Sequence, residues 1–180
     1  FLAEPRAELS WRLDHNSRLS VSFNQASQNL HMLSNSSVGL PSDMWLPVNS
    51  ILKPITMRQF SGGYERDLWN KRYTFSVEGY YRKSDGIIDY KDNADLFLNN
   101  RIEEQVLTGE SNGYGVECSL AKNSGSITGR ISYTYSRSYN RIAGIEEGKQ
   151  YPSILDRPHN LKLFLNYAIN PKWDLSSTFS

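Results

Sequence analysis

Apolar and polar residues alternate through several segments of the chain. In the first segment every second residue is apolar, at Ala7, Leu9, Trp11 and Leu13. Charged or hydroxyl side chains fill the positions between them, at Arg6, Glu8, Ser10 and Arg12. Because consecutive side chains of an extended strand point to opposite faces, this pattern predicts a β-strand with one apolar and one polar face.

The alternating segments come in pairs that are joined by short turn-forming clusters. The alternation of the first segment resumes after the turn that begins at Asp14, and similar turns are predicted at Asp67, Lys122 and Asn170. Each pair of strands with its turn reads as a β-hairpin. The pattern therefore predicts an all-β fold with about eight antiparallel strands in four hairpins, and no stretch has a sustained helical period.

Long intervals without regular alternation separate the four hairpins. They cover residues 29–56, 85–112 and 140–157. The predicted strands are about as long as the roughly 9 to 11 residues that a tilted strand needs to cross a bilayer. Short turns on one side and long loops on the other are typical of an up-and-down transmembrane β-barrel, so we interpret residues 1–180 as one segment of such a barrel.

Aromatic residues lie near both ends of the predicted strands. Those beside the short turns are Trp11, Trp69, Tyr73 and Trp173, and those toward the long loops are Phe23, Phe60, Tyr81, Tyr133 and Tyr135. Two aromatic belts are expected where a barrel meets the two membrane interfaces. The polar face carries Arg72, Glu78, Glu117 and Arg130, which we expect to face the barrel lumen or a plug inside it. In a soluble sandwich the same four residues would face solvent.

Composition and the distribution of reactive residues give little sign of chemistry. The 20 basic and 19 acidic residues nearly balance, so nothing points to a nucleic-acid partner. The single cysteine, Cys118, excludes a disulfide framework. His15, His31 and His159 are far apart and show no metal-ligand spacing. We therefore expect no catalytic residue, no metal site and no cofactor.

Several motifs resemble one family of membrane receptors. They are Gln28-Asn29-Leu30-His31-Met32-Leu33-Ser34-Asn35, Gly39-Leu40-Pro41-Ser42-Asp43-Met44-Trp45-Leu46-Pro47, Ser76-Val77-Glu78-Gly79-Tyr80-Tyr81-Arg82-Lys83 with Ile88-Asp89-Tyr90-Lys91, Gly113-Tyr114-Gly115-Val116-Glu117, and Tyr151-Pro152 with Asp156-Arg157-Pro158-His159. In this order they are similar to the barrels of TonB-dependent outer-membrane receptors of the Bacteroidetes type, over nearly the whole chain.

The resemblance implies a late, C-terminal part of a barrel of about 22 strands in the bacterial outer membrane. In that family a plug domain fills the lumen, TonB supplies energy, and outer loops bind a scarce nutrient such as an iron chelate, cobalamin, a glycan or a peptide. The implied partners are membrane lipid, the protein's own plug domain, TonB and, in some members, a surface lipoprotein. The plug is absent from this sequence. We expect the short turns to face the periplasm and the long loops to face outward.

The loops supply the candidates for ligand contact, which are His31, Trp45, Tyr90 and Tyr151. Interval 29–56 is unusually apolar for an exposed loop, and it either packs on the barrel mouth or contacts a ligand. Interval 85–112 is acidic, but it does not fit the calcium-loop pattern. Two other functions stay open at this point: a passive porin or adhesin barrel, and a soluble β-sandwich that binds glycans.

Overall fold

The computed structural model describes residues 3–33, 44–91 and 102–180, and these form an almost purely β structure. The strands, in chain order, are β1 (Arg6–Arg12), β2 (Ser17–Gln28), β3 (Leu30–Leu33), β4 (Met44–Pro47), β5 (Ile55–Leu68), β6 (Tyr73–Tyr90), β7 (Val106–Lys122), β8 (Ile127–Ile142), β9 (Gln150–Pro152), β10 (His159–Asn170) and β11 (Trp173–Phe179). Two single 3-10 turns, Ile102–Glu104 and Glu146–Gly148, lie in the connections. No helix in the described ranges is long and apolar enough to cross a membrane.

Eight main strands form one antiparallel sheet in which each strand pairs with the next main strand of the chain. The order is β1-β2-β5-β6-β7-β8-β10-β11, with short β9 added to β8. This confirms the predicted four hairpins and the up-and-down topology. Within the described residues β1 and β11 are the two edges of the sheet, so it is an open section of a barrel wall. The second sheet is only the small β3–β4 hairpin, which does not make a sandwich.

The pairing register keeps the two faces of the sheet separate. One row of paired residues runs Leu9–Val21–Gly62–Gly79–Val116–Tyr135, and the neighbouring row runs Ser10–Ser20–Gly63–Glu78–Glu117–Thr134. We call the first face the lipid face and the second the lumen face. Large apolar side chains stay exposed on the lipid face, including Trp11, Val21, Val116, Ile131 and Leu165. A contiguous exposed apolar face of this size is typical of a surface that contacts a membrane or another protein.

The β5–β6 turn differs from the sequence-based prediction for Arg72. Arg72 lies in the turn and not inside a strand, because β6 begins only at Tyr73. The three residues before Arg72, from Trp69 to Lys71, all have positive φ angles, of 48°, 54° and 64°. The backbone N–H of Arg72 donates to the carbonyl of Trp69 at 3.1 Å, which closes the turn.

Two strands run well beyond their predicted ends. β6 has 18 residues and β7 has 17, and they pair as far as Tyr90 opposite Val106. Both ends of interval 85–112 are therefore strand. The pairing shifts at Gly86, whose φ of 84° allows a bulge that breaks the regular alternation. The other two long intervals also contain strand, because β3 and β4 lie in 29–56 and β9 lies in 140–157.

The best-packed large apolar side chains lie in these extensions and in the loops that pack against them. Leu33, Leu52 and Val106 form a buried cluster against which Ile88 and Tyr90 pack. The β3–β4 hairpin and the segment before β5 therefore cover one face of the β6–β7 extension. On the other face, a Cβ added to Gly144 would lie only 2.9 Å from Leu107. Consecutive residues of a strand face opposite ways, so separate loops cover the two faces.

Candidate functional site

The lumen face carries a group of carboxylates in the middle of the wall. Glu78 in β6 and Glu117 in β7 are directly opposite each other, and both side chains are exposed. Thr134 Oγ1 donates to Glu117 Oε2 at 3.2 Å. A shallow cavity that includes Glu78 and Glu117 is also lined by Arg18 and Glu65. Like charges in opposed positions repel each other, so this part of the wall favours a cationic or hydrogen-bond-donating partner.

The cation that accompanies these carboxylates is Arg18. Its guanidinium lies 2.5 Å from Glu65 Oε1, in a cross-strand pair between β2 and β5. The fourth predicted lumen residue, Arg130, is exposed on the same face nearer the turns, opposite Ala121 and Phe164. The structure therefore places Glu78 and Glu117 together, Arg130 apart from them, and Arg72 at the rim in the β5–β6 turn.

Glycines shape the lumen wall in a way that sequence reasoning missed. A Cβ added to Gly115 would lie 2.8 Å from Tyr80 Oη, so the Tyr80 ring lies across the glycine on the neighbouring strand. Arg82 lies across Gly113 in the same manner, with Nη2 3.5 Å from the added Cβ. Both large side chains therefore lie along the wall and do not project into the lumen. The only feature of the sequence that could have indicated this arrangement is the pair of glycines on either side of Tyr114.

His31 is an internal residue of the loop layer. Its side chain is 1% exposed, and Nε2 donates to the carbonyl of Lys53 at 2.9 Å. Its Nδ1 is buried and has no hydrogen-bond partner among the described residues. The imidazole thus ties β3 to the segment before β5. A ring buried to this degree supports the loop from within and offers no surface to a ligand in this conformation.

Trp45 is the exposed member of the four predicted ligand contacts. It lies in β4 opposite Met32 of β3, and the two side chains are 55% and 44% exposed. The alternation in the hairpin turns His31 and Leu33 inward, and both are buried. The hairpin therefore packs through one face and presents an apolar strip, centred on Trp45, on the other.

Tyr90 and Tyr151 are half-buried near the end of the β6 extension. Tyr90 packs against the Leu33, Leu52 and Val106 cluster. Tyr151, in β9, donates its hydroxyl hydrogen to Asp89 Oδ2 at 3.0 Å. Because Asp89 and Tyr90 are consecutive in β6, their side chains lie on opposite faces of the strand. Tyr151 therefore contacts the face opposite to the one that carries the Tyr90 ring. Their rings stabilise the loop layer, and only part of each ring is accessible.

Metal chemistry has no support in the described ranges. No group of three or more His, Cys, Asp or Glu side chains there is arranged to hold a metal ion. Cys118 is a free thiol on the lipid face, opposite Val77 and Tyr133. The candidate surfaces for contact with a plug or a nutrient are the carboxylate-bearing lumen wall and the exposed side of the loop layer.

Comparison with known proteins agrees with this geometry. No curated protein matches the chain in a sequence search. The family model described as "TonB dependent receptor-like, beta-barrel" matches residues 3–180, which is nearly the whole sequence. The match covers all eight main strands of the open wall and the loops between them. This family consists of transporters of the bacterial outer membrane, and the chain belongs to it as a section of a TonB-dependent receptor barrel.

Proposed function

We propose that the chain forms part of the wall and the loop layer of a receptor that takes up a scarce nutrient with energy from TonB. The family match over residues 3–180 carries this proposal. The separation of an exposed apolar face from a polar face supports it, because a transport barrel needs lipid outside and a hydrated or plugged lumen inside. Candidate nutrients are an iron chelate, cobalamin, a glycan or a peptide.

The orientation follows from the unequal connections. Short turns face the periplasm in barrels of this kind, and longer loops face outward. The β6–β7 extension and the β3–β4 hairpin would then rise from the cell surface. Arg72 would lie at the periplasmic rim.

The lumen wall would contact the plug domain of the complete receptor or the passing nutrient. Glu78 and Glu117 are the best placed residues, because their opposed carboxylates lack a cation on the neighbouring strand position. A Lys or Arg of the plug would relieve their repulsion. Arg130 is expected to meet an acidic or carbonyl group nearer the periplasm.

Ligand contact would fall on the loop layer, first on Trp45 and then on the accessible edge of Tyr151. Trp45 combines a large apolar ring with high exposure, which is typical of residues that dominate binding. Tyr90 and His31 would act on the ligand only indirectly, by holding the loops in place. A surface lipoprotein that covers these loops is a further expected partner for a glycan or peptide.

The test uses the intact receptor in cells that depend on the nutrient. Uptake of each candidate class is measured with and without a functional TonB, and for the Trp45→Ala variant. We expect uptake to require TonB, and we expect Trp45→Ala to lower the affinity for the ligand without changing the amount of folded receptor. Trp69→Ala is the matched control, because Trp69 is also highly exposed, at 74%, but lies in a turn at the other end of the strands.

Two outcomes would contradict the proposal. Uptake that continues at the same rate without TonB would indicate a passive porin. Loss of uptake in Trp69→Ala together with normal uptake in Trp45→Ala would show that the loop layer does not bind the nutrient.

A further inference from the structure

Three rows of side chains cross the lipid face at the level where the strands leave the proposed membrane span. The lowest row is aromatic and runs Phe23–Phe60–Tyr81–Tyr114 across β2, β5, β6 and β7. The rings of Phe23 and Phe60 are in contact, with centroids 4.8 Å apart. Aromatic rings concentrate at the headgroup level of a bilayer, so this row marks the interface on the loop side.

The next row away from the turns holds two cations side by side. It runs Gln25–Arg58–Lys83–Asn112 through the same four strands, and Arg58 is directly opposite Lys83. The row beyond it contains the carboxylates, at Asp85 and Glu110. Moving away from the membrane centre, the order is therefore aromatic, cationic and acidic.

Arg58 and Lys83 differ in whether a carboxylate lies close enough to form an ion pair. Lys83 Nζ lies 2.7 Å from Glu110 Oε2 and 3.9 Å from Asp85 Oδ1, both on its far side from the aromatic row. Arg58 is exposed, and no carboxylate of the described residues lies within ion-pair distance of it. Two like charges in directly opposed positions destabilise a sheet, and here Arg58 is the cation whose charge no carboxylate of the described residues offsets.

The surroundings of Arg58 and Lys83 fit an anionic group at the surface of a membrane. Cations at the membrane surface attract anionic headgroups, and an Arg guanidinium can hold a phosphate through two parallel hydrogen bonds. The aromatic row directly below offers the apolar surface that the acyl chains of such a lipid need. We propose that Arg58 and Lys83 bind the phosphate of an anionic membrane lipid on the outside of the barrel. This inference rests on the lipid-facing assignment of the wall and is independent of which nutrient the receptor carries.

The experiment measures lipid retention by the intact receptor. The full-length protein is reconstituted in phosphatidylcholine nanodiscs that contain a small fraction of phosphatidic acid, and bound phosphatidic acid is measured by native mass spectrometry after gentle detergent release. We expect the Arg58→Gln, Lys83→Gln double variant to bind phosphatidic acid about 30-fold more weakly. Arg82→Gln is the matched control, because Arg82 neighbours Lys83 in β6 but lies on the lumen face.

Folding is checked separately by the heat-modifiable migration of the receptor on electrophoresis, and the charge-retaining variant Arg58→Lys, Lys83→Arg is expected to keep most of the binding. Unchanged retention in the double glutamine variant would overturn the proposal, as would an equal loss in Arg82→Gln. Displacement of the lipid by inorganic phosphate would also overturn it, because the site would then take free anions and not a membrane lipid. Since no nutrient is present, the result is separate from any failure of the transport proposal.

Discussion

At the scale of single residues, the alternation in the sequence was enough to assign most wall positions to a face. The register holds each assignment across six or more strands, as in the row from Leu9 to Tyr135. The turn position of Arg72 could not be predicted from the alternation. Three positive φ angles from Trp69 to Lys71 delay the start of β6, and no glycine in the sequence indicates them. The burial of His31 could not be predicted from the sequence either, since it depends on a contact with Lys53, 22 residues away.

The glycines of the sheet differ in how much an added methyl group would destabilise the protein. A Cβ at Gly109 would clash with the carbonyl oxygen of Arg141 and lie 2.5 Å from Ile142 Cγ1. A Cβ at Gly79 would meet nothing closer than 3.9 Å. We expect Gly109→Ala to lower the free energy of unfolding by about 1 to 3 kcal/mol, and Gly79→Ala to change it by less than about 1 kcal/mol. Thermal unfolding of the intact receptor, followed by electrophoretic mobility, measures both, and equal stability of the two variants would contradict the steric explanation.

Asp14 makes the first turn sensitive to acid. Its Oδ1 accepts the backbone N–H of Asn16 at 2.6 Å and its Oδ2 accepts the hydroxyl of Ser17 at 3.1 Å. The Asn16 hydrogen bond is the main reason that the pKa of Asp14 is lowered from its ordinary value. The stabilisation is therefore present above the unfolded-state pKa of about 3.9, and it is lost as the pH falls through the lower folded-state value.

The measurement compares melting temperatures of the receptor and its Asp14→Ala variant at pH 7 and at a pH below the lowered folded-state pKa of Asp14. We expect the variant to melt at a lower temperature at pH 7 and the difference to vanish in acid. A difference that stays constant over this range would show that the Asp14 charge has no part in the turn.

At the scale of elements, the hairpins were predictable and their lengths were not. Turn-forming residues and regular alternation mark the strands inside the membrane span. Beyond it, the bulge at Gly86 shifts the pairing of β6, and the β3–β4 hairpin is stabilised by packing on Val106 from a distant strand. Such contacts leave no local signal, so intervals 29–56, 85–112 and 140–157 were predicted as loops although each contains strand.

The β3–β4 hairpin should depend on Leu52, which is 2% exposed in the cluster. We expect Leu52→Ala to destabilise the packed loop by about 2 to 5 kcal/mol and so to release Lys53, whose carbonyl holds His31. Limited chymotrypsin digestion of the intact receptor then cuts after Trp45 in β4 at least about tenfold faster, because cleavage follows the population of the open loop. Ile51→Ala is the control, since Ile51 is 58% exposed. Equal cleavage of the two variants would mean that the cluster does not hold the loop.

At the scale of the whole molecule, the sequence predicted the fold class, the number of main strands and their order. It did so because an up-and-down sheet needs only local turns and a constant period of two. The composition of the loop layer could not be predicted, since it depends on how connections that are far apart in sequence meet above the wall. The nutrient is likewise not encoded in the wall, because one barrel scaffold serves many ligands.

Substitutions in neighbouring strands test which face meets lipid. Val116 is 47% exposed near the middle of β7, and Thr134 lies on the opposite face beside Glu117. We expect Val116→Lys to cost about 2 to 4 kcal/mol in the membrane, and Thr134→Lys to be tolerated in the lumen. The fraction of heat-modifiable receptor in the outer membrane reports both. Normal assembly of Val116→Lys together with failure of Thr134→Lys would invert the assignment of the two faces.

Because each main strand pairs with the next one in the chain, the lengths of the connections set the order in which the pairs form. Connections inside the four hairpins have two or four residues, but 26 residues separate β2 from β5. Joining those two strands costs about 1.7 kcal/mol more in loop-closure entropy than forming a hairpin with a four-residue turn. Each hairpin should therefore form as a unit before neighbouring hairpins zip together, and the β2–β5 seam should close last. Shortening that connection would then accelerate assembly of the wall without changing a single lipid contact.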